Sequence, residues 1–291
     1  MIQYSEIFRS IQGEGVLTGH PTIWIRYFSC NLQCNGFGQD DPTDPSTYDL
    51  PYEKIDLTDI THIEDLPVFT KGCDSSYSWS KKFKHLQKEL TVEEVVDQFE
   101  SLLPNGVFGN KFDLCFTGGE PLLKRNQKQT VAILRELQKR NNLPGSITFE
   151  TNGTQVLTRD LSDVLGELAI DIDIFMSISP KLFTVSGESP KKAIKPEVLA
   201  ELYEMFPLTT YLKFVCDMNP KTWEQLEEVC RDVNRLYGCD VTSTTTWIMP
   251  VGATKESQED ISAQVSDKAI SLGYKVSARV HCAIWGNQIG T

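Results

Sequence analysis

The sequence predicts an α/β fold, a partial (β/α)6-type barrel that is open rather than closed, with mostly parallel strands. Three observations predict it. Short apolar or β-branched runs alternate with helical stretches about six times along the 291 residues, with short connections, the pattern of parallel strands joined by right-handed crossovers. The strand runs are apolar, as expected where both faces of a sheet are covered. The repeat count falls short of the eight of a complete barrel.

In chain order, residues 5–15 form a glycine-punctuated segment ahead of the first strand, 22–28. Residues 35–72 are rich in Pro, Asp and Thr with weak periodicity, and a loop of that length in a compact domain is usually functional or an insertion. Thr91-Val-Glu-Glu94 is a capping box opening a helix that reaches 103. A buried strand is expected at 112–116, then a helix at 125–141 with Val131, Leu134 and Leu137 on one face. Strands at 146–149, 172–177 and 210–215 alternate with helices at 160–169 and 195–205. A helix capped at Thr222 runs to 236, followed by a strand at 244–249, a helix at 257–271 and a last strand at 275–280. No repeat or linker interrupts this order, so the chain reads as a single domain, 1–291, with 35–72 as an insertion.

The net charge of −12 repels a polyanion, and the one short basic run, Ser80-Lys-Lys-Phe-Lys84, does not offset it; a nucleic-acid partner is not expected. No apolar run reaches the ~20 residues of a membrane span, and the opening Met-Ile-Gln-Tyr-Ser-Glu has no secretory character. Eight cysteines in a long chain with 40% hydrophobic residues point to a reduced, cytoplasmic setting rather than a disulfide scaffold. There, a tight cysteine pair suggests a metal or redox role, while Cys115, Cys216 and Cys282 sit in apolar stretches as small core residues.

Sites in parallel α/β folds form at the carboxyl ends of strands. Those ends carry Arg26 with Cys30 and Cys34, Thr117-Gly-Gly-Glu-Pro121, Glu150-Thr-Asn-Gly-Thr154, Ser177-Ile-Ser-Pro-Lys181, Lys213 and Asp217, Met249-Pro-Val-Gly252, and Arg279 with His281. Each has a plainer reading alone: a strand-to-helix turn for the glycines, a surface pair for Glu150 and Lys181, a structural histidine for His281. At equivalent strand ends of one layout they predict a single large polar pocket. Cys30 and Cys34 can meet Cys73 at the end of the first strand. Three thiolates suit a four-iron cluster with one open iron; zinc wants four ligands, with His62 as the fourth candidate. Spacing alone leaves both open.

Together these motifs resemble the radical S-adenosylmethionine (SAM) superfamily and, within it, the 7-carboxy-7-deazaguanine synthase family. The segments that carry the resemblance are Glu6-Ile-Phe-Arg-Ser-Ile-Gln-Gly-Glu-Gly15, Arg26, Cys30-Asn-Leu-Gln-Cys34, Cys73-Asp-Ser-Ser-Tyr-Ser-Trp79, Thr117–Leu122, Glu150–Thr154, Ser179-Pro-Lys181 and Arg279–Asn287. The opening and closing segments are specific to the synthases; Gly-Gly-Glu-Pro is superfamily-wide. The family usually places its third cysteine two residues after the second. Here position 37 is Phe and 38 residues separate Cys34 from Cys73. Cys73-Asp-Ser resembles the family's Cys-Asp-Thr, so 35–72 is an insertion in the cluster loop, costing about 2 kcal/mol of extra loop closure.

The resemblance implies a radical SAM barrel with a [4Fe–4S] cluster on Cys30, Cys34 and Cys73. SAM would lie along Gly118, Gly119, Glu120, Glu150, Ser179, Pro180, Lys181, Ile248, Met249, Pro250 and Val251. Reductive cleavage of SAM to methionine and a 5′-deoxyadenosyl radical would be followed by hydrogen abstraction from C6 of 6-carboxy-5,6,7,8-tetrahydropterin. The ring contracts, ammonia leaves and 7-carboxy-7-deazaguanine forms. Substrate contacts are expected from Ile11, Gln12, Gly13 and Glu14, from Arg26 as a fork for the carboxylate, and from Thr117, His281 and the carboxylate of Thr291. Mg2+ would bind at Ser75, which keeps the hydroxyl of the family's threonine. An electron donor such as flavodoxin or ferredoxin and a homodimer are also implied. One rival is another radical SAM enzyme, such as a glycyl-radical activase, sharing the cluster but neither Gln12–Gly15 nor the Arg279–Asn287 tail. The other is a non-catalytic metal-binding, zinc or regulatory protein of the same fold.

Overall fold

The structure, a computed structural model, describes residues 1–286 and 288–290, the side chain of Asp260 apart. Its sheet opens with a strand that the glycine-punctuated segment conceals. β1 (Ile2–Ile11) runs antiparallel to β2 (Pro21–Tyr27) and to the short β3 (Lys88–Leu90). A register shift between Tyr4 and Glu6 leaves Tyr4, Ser5 and Glu6 all buried. Such a bulge breaks the period-two alternation by which a strand is recognised.

From β2 the sheet continues in parallel through β4 (Asp113–Gly118), β5 (Ser146–Thr151), β6 (Asp173–Ile178), β7 (Thr210–Cys216), β8 (Thr246–Pro250) and β9 (Lys275–Val276). The order is β3-β1-β2-β4-β5-β6-β7-β8-β9. The two end strands do not pair with each other, so the barrel is open, as the sequence predicts.

The helices are α1 (Pro51–Lys54), α2 (Val92–Leu102), α3 (Lys124–Lys139), α4 (Arg159–Leu168), α5 (Phe183–Ser186), α6 (Pro190–Ala193), α7 (Pro196–Met205), α8 (Pro220–Tyr237), α9 (Thr242–Thr245), α10 (Lys255–Ser271) and α11 (Val280–Trp285). The capping box of α2 is present in both directions, Glu94 N to Thr91 Oγ1 at 3.2 Å and Thr91 N to Glu94 Oε2 at 2.8 Å. Helix α8 starts earlier than Thr222, with Asn219 as cap and Pro220 in its first turn; a proline there is already set in helical φ. Asp217, read as a strand-end site residue, accepts from Thr222 Oγ1 at 2.6 Å and belongs to this helix start. The last strand stops at Val276. Ser277 Oγ accepts from Gly15 N at 2.9 Å, and the chain turns into α11.

The strands are not apolar on both faces. Ile23, Ile25, Phe116, Phe149, Leu212, Phe214 and Ile248 are fully buried in the main core with the helices. The alternate residues Trp24, Arg26, Thr117, Glu150, Ser177, Lys213 and Met249 line a cleft on the other side. Successive strand side chains point to opposite faces, so each strand supplies core and site in turn.

The 35–72 excursion leaves and returns at one point, where Gly72 N donates to Phe37 O at 2.7 Å. Its Tyr52, Ile63, Leu66 and Phe69 join Tyr77, Phe83 and Leu86 in a satellite core. The Tyr52 ring centroid lies 6.3 Å from Phe69 and 5.5 Å from Trp79. Cys115, Cys216 and Cys282 are buried, as expected of core thiols. Among the described residues no helix is long and apolar enough to cross a membrane.

Candidate active site

Beyond β2 the chain turns through two non-glycine residues in the left-handed region, Ser29 (φ 93°) and Cys34 (φ 53°). Such backbone persists only where its surroundings hold it. Ser29 N donates to Ser78 O at 2.8 Å, and Glu120 N donates to Ser29 O at 2.9 Å. Gly119 lies so close to the Ser29 carbonyl that a Cβ would collide with it. Gln33 N and Cys34 N both donate to Glu188 Oε1, at 2.6 and 2.9 Å. Asn152 Nδ2 donates to Asn31 Oδ1 at 3.0 Å and lies 3.9 Å from Cys30 Sγ. Sequence reasoning missed Glu188, which belongs to no motif and stands 154 residues from Cys34.

Cys30, Cys34 and Cys73 all line the cleft and pack together around Leu32, Phe37 and Ala193. Burial pushes the three thiols up, Cys30 to about 12 and Cys73 to about 11, with Lys181 opposing the rise in each case. Bare thiolates are therefore costly here, and the donor set suits a cationic iron centre that compensates them. Among the described residues no three His, Cys, Asp or Glu side chains are grouped to hold a single metal ion. His62, the candidate fourth zinc ligand, is exposed at the head of a turn in the excursion. Three thiolates spread around a cavity fit a polynuclear iron–sulfur cluster better than a closed tetrahedral zinc. Trp79 adds a second sign. Its Nε1 is buried without a hydrogen-bond partner, yet lies near enough to Cys73 to pull that thiol's pKa down against burial.

Along the floor of the cleft, Gly118 (φ 125°) hugs the backbone of Tyr27, where a Cβ would collide. With Gly119 it brings bare backbone against the cavity. Glu150, Ser179, Lys181, Met249, Pro250 and Val251 continue the wall, and Lys181 Nζ donates to Ser179 Oγ at 2.9 Å. Three expected cofactor contacts are not on that wall. Glu120 is fully buried; Oε1 accepts from Thr151 Oγ1 at 2.7 Å and Leu122 N at 2.9 Å, and Oε2 from Asn152 N at 2.8 Å. It ties β4 to β5, and burial raises its pKa. Ile248 points into the helix-side core because strand side chains alternate, and Pro180 is buried beside the wall.

At the far end the first and last segments of the chain meet. Val280 N donates to Gly13 O at 2.9 Å, and the His281 imidazole sits where a Gly13 Cβ would be. Glu14 pairs with Lys213 through Oε2 and with Arg279 through Oε1 at 3.1 Å. Lys213 also reaches Glu150 Oε1 at 3.8 Å, and Arg279 reaches Asp74 Oδ2 at 3.3 Å. Burial alone would raise the Glu14 carboxyl; Lys213 and Arg279 hold it well below the carboxylate range. Burial likewise lowers the pKa of His281, with Glu14 opposing, which favours the neutral imidazole. Gln12 Nε2 donates to Glu150 Oε1 at 3.4 Å, and Thr117 Oγ1 to Glu150 Oε2 at 3.1 Å. Ile11 lines the same end.

Arg26 is less free than a substrate fork requires. Its Nε donates to Glu6 Oε1 at 2.6 Å, which also accepts from Tyr77 OH at 2.9 Å, and its Nη1 reaches Ser75 Oγ at 3.3 Å. Only its terminal nitrogens remain for a ligand. The pairing partner Glu6 was hidden by the bulge in β1. Lys213 and Arg279 were legible as strand-end charges and Glu14 as an expected substrate contact, but the structure engages the Glu14 carboxylate as the partner the two cations share. Trp24, also missed, lines the cleft stacked on Phe8 with ring centroids 5.8 Å apart, and its buried Nε1 has no partner. Thr291 lies outside the described residues. The interior of the cleft amounts to about 270 Å3, at the lower edge of the ~300–1,000 Å3 of small-molecule pockets.

No family model matches the chain. Over its length it is similar to the 7-carboxy-7-deazaguanine synthase of Pyrobaculum aerophilum, 26% identical with 99% of this chain and 97% of that protein covered. It is similar in the same way to the 7-carboxy-7-deazaguanine synthase of Halobacterium salinarum, at 24% identity with 97% and 90% covered. Its fold is similar to the crystal structure of QueE from Escherichia coli, with a TM-score of 0.53, 19% identity, and 96% of this chain and 95% of that one covered.

Proposed function

We propose that the chain is a 7-carboxy-7-deazaguanine synthase, a radical SAM lyase that contracts the ring of 6-carboxy-5,6,7,8-tetrahydropterin with loss of ammonia. One observation carries this reading. A single cleft has three thiols at one end and, at the other, the Gln12–Glu14 segment joined to Arg279 and His281. The thiols suit radical SAM chemistry in general; the junction is built from the two segments particular to the synthases.

When bound, the cluster and SAM supply reductive cleavage of the sulfonium and a carbon-centred radical for hydrogen abstraction. The residues of the chain do the rest. Cys30, Cys34 and Cys73 hold the cluster, and Glu188 and Asn152 hold the loop that presents them. Gly118, Gly119, Glu150, Ser179, Lys181 and Met249–Val251 are the contacts for SAM, with Glu120 positioning from behind. Ile11–Gly13 present backbone groups to the pterin edge. The carboxylate of the substrate meets the terminal nitrogens of Arg26 and the field of Lys213 and Arg279. Neutral His281 and Thr117 offer uncharged hydrogen bonds. Trp24 and Phe8 keep that end apolar and dry, as a radical demands. Magnesium would take the Ser75 hydroxyl with the Asp74 carboxylate beside it, 3.3 Å from Ser75 Oγ, at the expense of the Arg26 contact. The chain is read as one radical SAM domain carrying the 35–72 insertion, cytoplasmic and homodimeric, and reduced by an electron-carrier protein.

The test is anaerobic. Protein reconstituted with iron and sulfide, reduced, and given SAM and the carboxypterin should form the deazaguanine chromophore, and Cys73→Ala should abolish it together with bound iron. Protein that holds iron and cleaves SAM but yields no chromophore belongs with another radical SAM activity.

A further inference from the structure

Two features of the sequence have no part in that chemistry: the 35–72 excursion and the basic run Ser80-Lys-Lys-Phe-Lys84. The fold brings them together outside the cluster loop. There a shallow, open groove is lined by Cys30, by Tyr52 of the excursion and Trp79, and by Lys81, Lys82 and Lys192, with Glu53 beside Lys82. Cys30 and Trp79 line both this groove and the reaction cleft. They are the partition between the outer surface and the thiol site.

The rim keeps its positive charge. Lys81 is exposed. Lys82 Nζ donates to the carbonyl oxygen of Glu53 at 2.6 Å, and Asp56 lies near enough to feel its charge without pairing with it. Lys192 shares Glu188 at 3.1 Å and is half exposed. On a chain of net charge −12 such a rim is a local exception. Rim charges steer encounter with an oppositely charged protein and add little to a tight complex. The groove is too open to enclose a small anion, but it suits a transient contact of the small interface class.

We propose that this groove is the docking surface for an acidic one-electron carrier protein. The carrier's low-potential cofactor is oxidised by one electron, the thiolate-held cluster is reduced by one, and no bond or proton is transferred in this step. The excursion then has a role: with Tyr52 it builds one wall of the seat. The inference rests on the reading that the three thiols hold a reducible cluster.

The test uses the reconstituted holoenzyme and flavodoxin, an acidic FMN protein, as the probe. Binding by titration should weaken about tenfold or more between about 50 and about 300 mM salt. Lys81→Glu/Lys82→Glu should lower flavodoxin affinity and the rate of flavodoxin reoxidation by about tenfold or more. Iron content and dithionite-driven turnover should stay at wild-type levels. Lys124→Glu/Lys128→Glu on α3, with the same charge change, should leave both flavodoxin readouts unchanged. If charge reversal costs iron, Lys81→Gln replaces it and should show a smaller loss of the same sign. The proposal is overturned if the groove variants bind and are reduced like wild type, or if the α3 variant weakens binding equally. It is also overturned if the groove variants dissociate a dimer of this chain while flavodoxin binding is intact, which would give the groove to a second copy. Wild-type protein that makes no product with dithionite defeats the synthase reading, while the binding arm still tests the groove.

Discussion

Glu14 sits between Lys213 and Arg279 on the cleft wall, with only 13% of its side chain exposed. Removing one partner of such a buried set leaves the others uncompensated, at a typical cost of ~3–5 kcal/mol. Glu14→Gln should therefore lower the unfolding free energy by an amount in that range, read as a lower denaturant midpoint at unchanged slope, and loosen the tail; an unchanged midpoint would mean the ion set is not coupled to folding. The pH dependence has a definite sign. The folded pKa of His281 lies below its ordinary value because burial disfavours the charged ring. The unfolded chain, titrating near ~6.5, then binds more protons at mildly acidic pH. The contribution of His281 is fully present above ~6.5 and is lost as pH falls towards its folded pKa. Thermal melts should show wild type losing more stability than His281→Gln between pH ~7.5 and ~5.5; equal losses would remove His281 from the effect. These residues were only partly legible. Gly13 and His281 stood out as motif positions, but that one leaves space for the other follows from chain ends 268 residues apart meeting in three dimensions.

The cluster loop is an element that its own sequence does not stabilise. Two residues hold positive φ, and two backbone N–H groups depend on the distant carboxylate of Glu188. Glu188→Ala should leave those donors unsatisfied at ~1–3 kcal/mol, and bound iron should be lost to a chelator severalfold faster than from wild type; equal retention would make Glu188 dispensable. The excursion is an element of a different kind, with closed ends and its own core. Phe69→Ala removes a fully buried ring from that core and should cost ~3–5 kcal/mol locally. Hydrogen exchange should quicken across 50–86 and leave β4 to β8 protected. Exchange that quickens throughout would mean the satellite core and the sheet unfold as one. Weak periodicity in 35–72 was a true reading, because its apolar residues serve turns and short helices. It concealed a core because those residues find partners beyond the segment, at Tyr77, Phe83 and Leu86.

At the scale of the whole molecule, the proposed function gives the two ends of one cleft different tasks. The thiols lie beyond the end of β2, on a loop held by Glu188 and faced by Lys181. The end proposed for the substrate needs the tail to return across the barrel mouth. Truncation after Ala278 removes α11 and the Val280–Gly13 bond. The shortened chain should keep its iron and cleave SAM while forming no deazaguanine; product formed at the wild-type rate would show that the junction is not the substrate seat.

Sequence alone determined the parallel half of the sheet and the thiols, glycines and strand-end charges of the site. Hydrophobic period and local motif are properties of neighbours along the chain, and neighbours are what a sequence displays. Tertiary structure alone decided that the opening segment is a bulged antiparallel strand, that Arg26 answers to Glu6, that Glu188 carries the cysteine loop, and that the basic run and the excursion share one groove. Each of these is a contact between residues far apart in sequence, fixed by how sheet, loop and tail close on one another.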